Sequence, residues 1–298
     1  MTARADPVTA RLAVVGGAGA VGSMLVELLR LDGDDVTVVD QADGMDAVAP
    51  DAGVRAVLAE ADTVVLAVPE SVAIAAVPTL HRILRPDALL VETLSVKTGI
   101  HGALQDGAPG RPAVGINPMF APALGMPGRP VAAVIHQSAP AVDRFLGSVV
   151  GWGARVVRVG ADEHDRIAAA TQALTHATVL SFGLALAELG VDPGASAALA
   201  SPPHTTLLAL LARVGSGVPE VYHDVQAGNP AADRARSALA ASLSRLSDAV
   251  AHGDERVFGD LMAEAVEPLG DRLGDYRRLC ADLFEGLHAP PHGDGGTR

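Results

Sequence analysis

Three glycines, Gly17, Gly19 and Gly22, stand at G-x-G-x-x-G spacing in Gly17-Ala18-Gly19-Ala20-Val21-Gly22. Positions without side chains allow a tight turn, close approach of backbone to a pyrophosphate, and tight packing of helix on strand. A helix opening at Ala20 and Val21 would present free N–H groups and a partial positive charge to that diphosphate. Asp40 closes the following apolar run. A carboxylate there accepts hydrogen bonds from the adenosine ribose 2′-OH and repels a 2′-phosphate, so these residues read as a site for NAD rather than NADP. Further polar residues punctuate the chain: Ser95-Val96-Lys97, Asn117-Pro118, Glu163-His164-Asp165, and Gln172 with His176. A hydroxyl and an ammonium at Ser95 and Lys97 could meet a substrate polar group and a nicotinamide. Gln172 and His176 are four apart and share a helix face. Each has a bland reading: Ser95 as a helix N-cap, Asn117 as a turn residue, Glu163-His164-Asp165 as a charged helix start, His176 as a satisfied core histidine. Behind a dinucleotide turn, and in this order, they read together as a site. No metal site is read from the sequence.

The elements that must position these residues follow from periodicity. The run Leu12-Ala13-Val14-Val15 leads into the glycines, a helical pattern runs from Ser23 to Leu31, and Val36-Thr37-Val38-Val39 ends on Asp40. That is strand, glycine turn, helix, strand, acid. Thr63 to Val68 is a continuous β-branched run, as expected for a buried parallel strand, and Pro69 stops it at the end where ligands bind in open α/β sheets. Further strands are expected at Ala88–Glu92, 112–116, 130–136 and 155–159, with helices at 71–84 and 139–150. Asn117 precedes a proline and is therefore held extended at a strand end. After Gly160 the β-runs vanish. Helical segments are expected at 162–189, 193–213, 218–227, 231–252 and 254–287. The fold class is thus an α/β N-terminal Rossmann dinucleotide-binding domain, residues 10–160, followed by an all-α domain, residues 161–288. Tails 1–9 and 289–298 are expected to be disordered. The apolar helix within 168–189 cannot bury itself in a small helical domain, so a C2 homodimer is expected.

The chain has 298 residues, 49% hydrophobic but only 3% aromatic, so the core must be built from Ala, Val and Leu. A formal net charge of −13 argues against nucleic-acid partners. A single cysteine, Cys280, precludes an internal disulfide framework and fits a reducing cytoplasm. No signal peptide is read at the N-terminus, and no uninterrupted apolar run reaches about 18 residues, so no membrane association is expected. The partner expected is a small molecule.

On the glycine turn, Ser95-Val96-Lys97, Asn117-Pro118-Met119-Phe120, Glu163-His164-Asp165 and Gln172-Ala173-Leu174-Thr175-His176, the chain resembles the prephenate/arogenate dehydrogenases from about Leu12 to Leu287. The resemblance implies NAD(P)-dependent oxidative decarboxylation of a cyclohexadienyl acid, with a helical dimerisation and substrate domain after the Rossmann domain. It implies that Ser95 touches substrate and nicotinamide and that His176 helps to bind substrate. It also implies an arginine nine residues before an aromatic-Asp element. Here that is Arg213, before Tyr222-His223-Asp224, placed to hold a substrate carboxylate as a fork. Lys97 and Gln172 are expected among the substrate-binding residues. Neither a chorismate mutase segment before the Rossmann domain nor a regulatory domain after the helices is expected.

One position departs from the family pattern. Where the family reads Gly-x-His-Pro, with the histidine as general base for the substrate's 4-hydroxyl, this sequence reads Gly115-Ile116-Asn117-Pro118. An amide is not a base near pH 7. A 4-amino group removes the need for one, because its lone pair supports departure of hydride from C4 while C1 loses CO2. Asn117 then has only to accept an N–H hydrogen bond and orient the amine. The resemblance together with Asn117 implies the NAD-dependent 4-amino-4-deoxyprephenate dehydrogenase branch of the family, which makes 4-aminophenylpyruvate in antibiotic pathways. The alternatives are a prephenate or arogenate dehydrogenase of tyrosine biosynthesis using another base, with His101, His136 and His204 available, and a catalytically silent NAD-binding sensor.

Overall fold

The computed structural model describes residues 9–287. All but Thr9 of the two tails expected to be disordered lies outside these residues. The described chain divides into two compact units: one runs to Thr171 and takes in Glu220–Ala232, and the other comprises Gln172–Pro219 and the chain from Asp233 on. The division therefore falls eleven residues later than the change of texture at Gly160, and a short helical segment of the second half belongs with the first unit.

The first unit is built on a seven-stranded sheet of order β2-β1-β3-β4-β5-β6-β7. Its strands are β1 (Arg11–Val15), β2 (Asp35–Val39), β3 (Thr63–Leu66), β4 (Leu89–Glu92), β5 (Ala113–Pro118), β6 (Pro130–Gln137) and β7 (Arg155–Arg158). Every pairing is parallel except β5 with β6. Helices α1 (Ala20–Leu31), α2 (Ala52–Glu60), α3 (Glu70–Ile83), α4 (Thr98–Gly107) and α5 (Pro140–Gly151) cover the sheet. One core joins Val54, Leu58, Val77, Leu80, Ile100 and Leu104 of α2, α3 and α4 to one face. The other joins Leu25, Leu29, Phe145 and Val149 of α1 and α5 to the opposite face. Coverage on both sides is why β1, β3 and β4 read as largely apolar runs, with Glu92 the buried exception in β4. The chain passes from β1 out to β2 and back across to β3, so the strand order reverses beside β1, and the crevice at the C-terminal ends of β1 and β3 is the ligand position of such sheets. The glycine turn, Pro69, Ser95 and Asn117 all lie at or just beyond the C-terminal ends of β1, β3, β4 and β5. Helix α4 was not foreseen, because Thr98-Gly99-Ile100-His101-Gly102 carries two glycines and a weak apolar period. Its buried residues, Ile100 and Leu104, decide it.

The expected helix 162–189 is α6 (Ala161–Ala168), a π-helical turn (Ala169–Ala173) and α7 (Leu174–Leu189). The second half continues as α8 (Pro193–Ala198), α9 (Pro202–Gly215), α10 (Pro219–Ala227), α11 (Ala232–His252), α12 (Glu255–Val266) and α13 (Leu273–Gly286). A 3-10 turn with Gly270 at φ 50 separates α12 from α13, where a single helix was expected. In the second unit α7 and α9 approach closely: a Cβ on Gly183 would lie 2.7 Å from Leu211 Cδ1. The helical run Ala161–Leu189 is long and apolar enough to cross a membrane by length and composition, and 22% of its most apolar window is buried.

Candidate active site

The glycine turn takes the expected shape, with one residue more than the motif. Gly16 has φ +79, and a Cβ there would lie 2.3 Å from the Ala67 carbonyl oxygen, so the residue before the motif is the one that must be glycine to turn under the β3 loop. A Cβ on Gly22 would lie 2.1 Å from the Gly16 carbonyl oxygen, which is the close helix–strand packing expected of the last glycine. Gly19 is the N-cap of α1 and makes no side-chain cap. The first hydrogen bond of the helix runs from Ser23 N–H to the Gly19 carbonyl at 2.8 Å, leaving the N–H groups of Ala20, Val21 and Gly22 for an outside acceptor. Asp40 ends β2, and its carboxylate accepts from Ala18 N–H and Ala42 N–H, both at 3.0 Å. Uncapped N–H groups beside a fixed carboxylate fit a dinucleotide, the first group being suited to a diphosphate and the second to a ribose hydroxyl. Pro69 is the N-cap of α3.

At the ends of β4 and β5 lies a buried charged cluster. Lys97 Nζ donates to both Glu92 oxygens at 2.8 Å and to the Ile116 carbonyl at 3.0 Å, and neither side chain is more than 1% exposed. The expectation that Lys97 reaches substrate is corrected here. The ammonium has three donors and all three are taken, so it ties β4 to the residue before Asn117. Burial by itself would raise the Glu92 carboxyl; the Lys97 charge and the His136 hydrogen bond outweigh this and hold it below the usual range. Burial pulls the Lys97 ammonium down, against Glu92. His136 Nε2 lies 3.0 Å from Glu92 Oε1, and its Nδ1 lies 3.0 Å from Nδ1 of His101. A Cβ on Gly115 would lie 1.8 Å from Glu92 Oε1, so the cluster explains the glycine of Gly-x-Asn-Pro. Ser95 is half-buried on the loop between Glu92 and Lys97, a loop further tied by the Leu94 N–H bond to Glu92 Oε2 at 2.8 Å. The N-cap of α4 is Lys97, not Ser95.

Asn117, 2% exposed, faces a second buried chain of groups. Its Nδ2 lies 3.1 Å from His164 Nε2, and His164 Nδ1 lies 2.8 Å from Asp165 Oδ1. The Asp165 carboxylate also accepts from Lys97 N–H at 2.8 Å, Thr98 N–H at 2.9 Å and Thr98 Oγ1 at 2.6 Å, and so caps α4. Burial opposes ionisation of Asp165, yet these bonds, led by that to His164, hold its carboxyl below the usual range. Asn229 donates to the Asp165 carbonyl at 2.8 Å. Glu163, the first residue of the expected Glu163-His164-Asp165 cluster, is exposed. Sequence reasoning missed Glu92, Asn229 and Glu70, and offered His136 only as an alternative base. Burial, and then the charges of Asp224, Asp165 and Glu92, raise the Glu70 carboxyl. Only Glu92 carried a usable signal, a carboxylate inside an otherwise apolar strand.

In the second unit, Gln172 lies in the π turn and His176 in the first turn of α7, both half-buried. Gln172 Oε1 is buried without a hydrogen-bond partner among the described residues. Burial, and then the charge of Arg213, lower His176 below the ordinary imidazole value, so the structure brings Arg213 near His176. The alternative bases are engaged elsewhere: His101 and His136 with each other, and His204 with Ser196 Oγ at 3.2 Å.

Two family models match the chain: the prephenate dehydrogenase nucleotide-binding domain over residues 29–131, beginning beyond the glycine turn, and the prephenate dehydrogenase dimerization domain over 160–264. The chain belongs to the prephenate dehydrogenase family. The 4-amino-4-deoxyprephenate dehydrogenase of Streptomyces pristinaespiralis is 52% identical over 96% of this chain and 100% of its own length. The T-protein of Enterobacter agglomerans is 33% identical over 71% of this chain, which spans 55% of that protein. The solved prephenate dehydrogenase from A. aeolicus, in complex with hydroxyphenyl propionate and NAD+, shares the fold at TM-score 0.68 and 16% identity, over 89% of this chain and 99% of that one. As a member of the prephenate dehydrogenase family, the protein carries a nucleotide-binding domain and a dimerization domain, the match to the second taking in the exposed apolar residues of α7, α11 and α12.

Proposed function

We propose that the protein catalyses NAD-dependent oxidative decarboxylation of 4-amino-4-deoxyprephenate to 4-aminophenylpyruvate, acting as a cytoplasmic homodimer. The observation that carries this reading is Asn117, a buried amide where the family has a base, in a chain 52% identical to a curated enzyme of that name. NAD, when bound at the glycine turn, supplies the acceptor for the hydride that leaves C4. The ring's C1–carboxylate bond breaks, CO2 departs, and the bonding pair enters the ring, which becomes aromatic. The amine nitrogen supports the charge at C4 with its lone pair and recovers it as the ring closes its sextet. A neutral amine donates to C4 better than an un-ionised hydroxyl, so hydride leaves without a base drawing off an N–H proton, and an amide suffices at position 117. Asn117 accepts an amine N–H, Ser95 contacts substrate and nicotinamide, and Arg213 and His176 hold the substrate's carboxylates. Asp40 selects NAD by accepting from the ribose hydroxyls. The same surface that would cross a membrane by composition is covered, in this reading, by the second subunit.

The test is kcat/KM for the amino substrate against prephenate. A general base contributes about 10²–10⁴-fold, so prephenate turnover is expected to be weaker by that order. Asn117→His is expected to raise prephenate turnover and to leave or lower that of the amine. Wild-type protein that oxidises prephenate as fast as the amine overturns the reading, as does one that binds NAD and turns over neither.

A further inference from the structure

The amide of Asn117 could offer a substrate either its oxygen or its NH2, and the two choices select opposite partners. We propose that His164, held by Asp165 as its Nδ1–H tautomer, fixes this choice by keeping Asn117 Nδ2 inward and presenting Oδ1 to the substrate's C4 amine. His164 is then a positioning residue for substrate selection.

The argument runs inward from Asp165. Its carboxyl is ionised and accepts two backbone N–H groups and the Thr98 hydroxyl. A carboxylate has only lone pairs to offer, so the His164 Nδ1 that lies 2.8 Å from it carries a proton. The opposite nitrogen, Nε2, lies 3.1 Å from Asn117 Nδ2. An amide nitrogen has only donors, so Nε2 must be a bare lone pair and the ring neutral. Turning the amide over would set Oδ1 against that lone pair, acceptor against acceptor, at the same 3.1 Å. With Asn117, His164 and Asp165 all buried, water cannot relieve this, and an unsatisfied buried group is costly. Asn229 holds the Asp165 backbone from behind, donating to its carbonyl while its own Oδ1 accepts from Ala231 N–H at 2.8 Å. No donor among the described residues meets Asn117 Oδ1, which is left as the acceptor for an incoming N–H.

The consequence for selection follows. An amine offers two N–H donors and keeps its lone pair for C4 while it donates to Oδ1. A hydroxyl that donates to Oδ1 finds no base beyond it. Its oxygen receives nothing from Asn117 either, because Nδ2 is spent on His164. The substrate named here rests on the function proposed above; the amide orientation does not.

Two measurements test it. In ¹⁵N-histidine NMR of the wild-type protein at neutral pH, His164 is expected as the neutral ring protonated at Nδ1, its resonance assigned by loss in His164→Gln. An Nε2–H tautomer or a doubly protonated ring overturns the proposal, and this readout needs no substrate. The second is a double-mutant cycle on kcat/KM for the amine, with His164→Phe and Asn117→Ala. Loss of one oriented hydrogen bond is expected to cost about tenfold in each single variant. If His164 acts through Asn117, the double variant falls no further than the worse single one, and NAD affinity stays at the wild-type value in all three. Losses that multiply overturn the proposal and leave His164 structural. A wild-type protein with the expected tautomer and no turnover of the amine would defeat the proposed function while leaving the amide orientation standing.

Discussion

The two units of this chain hold their apolar residues in opposite ways. In the first, Val14, Val64 and Ile116 have no exposure and each sheet face has its own closed core, whereas Leu184 and Leu199 of the second stand 73% and 89% exposed. Charges follow the same division. The first unit buries Lys97 against Glu92, while the second sets Arg245 against Glu264 in solvent. The first unit is thus a finished fold with a polar core at its ligand edge. The second leaves apolar surface uncovered within one chain and overlaps the match to a dimerization domain, and in the proposed homodimer a second copy covers it. A catalytic edge needs fixed polar groups, and only a closed core can fix them; an interface needs apolar surface left over.

Expectations that run from the largest effect to the smallest sharpen or break this contrast. Glu92→Gln leaves the Lys97 ammonium buried and unpaired, and should cost the first unit about 3–5 kcal/mol by denaturant unfolding. A small shift would mean that the cluster is wet and the core not closed. The wild-type dependence on pH carries the same information. Glu92 and Asp165 are both held below the ordinary carboxyl range, so the stability they contribute is fully present above about pH 4 and is lost as pH falls through their lowered folded values. An urea midpoint that stays flat down to acid pH would contradict that. Leu184→Asp puts a charge where a second subunit is expected and should cost the association about 3 kcal/mol. Sedimentation should then find monomers that still bind NAD, whereas an unchanged dimer would remove α7 from the interface. Arg213→Ala should lower kcat/KM by about 2–3 kcal/mol, mainly through KM, with NAD affinity intact. Asp40→Ala should narrow the preference for NAD over NADP by roughly tenfold, the Coulomb term of about 1–2 kcal/mol at a partly exposed site. Smallest of all, Glu264→Gln should leave the unfolding midpoint in place, since solvent screens that pair. If it destabilised as much as Glu92→Gln, the contrast between the units would fail.

What was legible in the sequence was whatever depends on neighbours along the chain. Strand β1, the glycine turn, α1 and Asp40 are one local unit, because their spacing alone encodes a turn that only glycine fits and a helix start that faces an anion. The exposed helical surface was legible too, since the apolar stripe within 168–189 exceeds what one small domain can cover. Asn117 was marked as the residue that departs from a base. The sequence assigned the Asn117 oxygen to a substrate N–H, but the partner of its Nδ2 was not legible, because it lies forty-seven positions away at His164, itself held by Asp165. Lys97 was misread for the same reason: a lysine near a strand end looks like a substrate ligand until the fold brings Glu92 and the Ile116 carbonyl against it and leaves it no free donor. Local periodicity fixes which face of an element is apolar. Which buried polar group satisfies which other is decided by contacts remote in sequence, and these form only when the sheet is assembled.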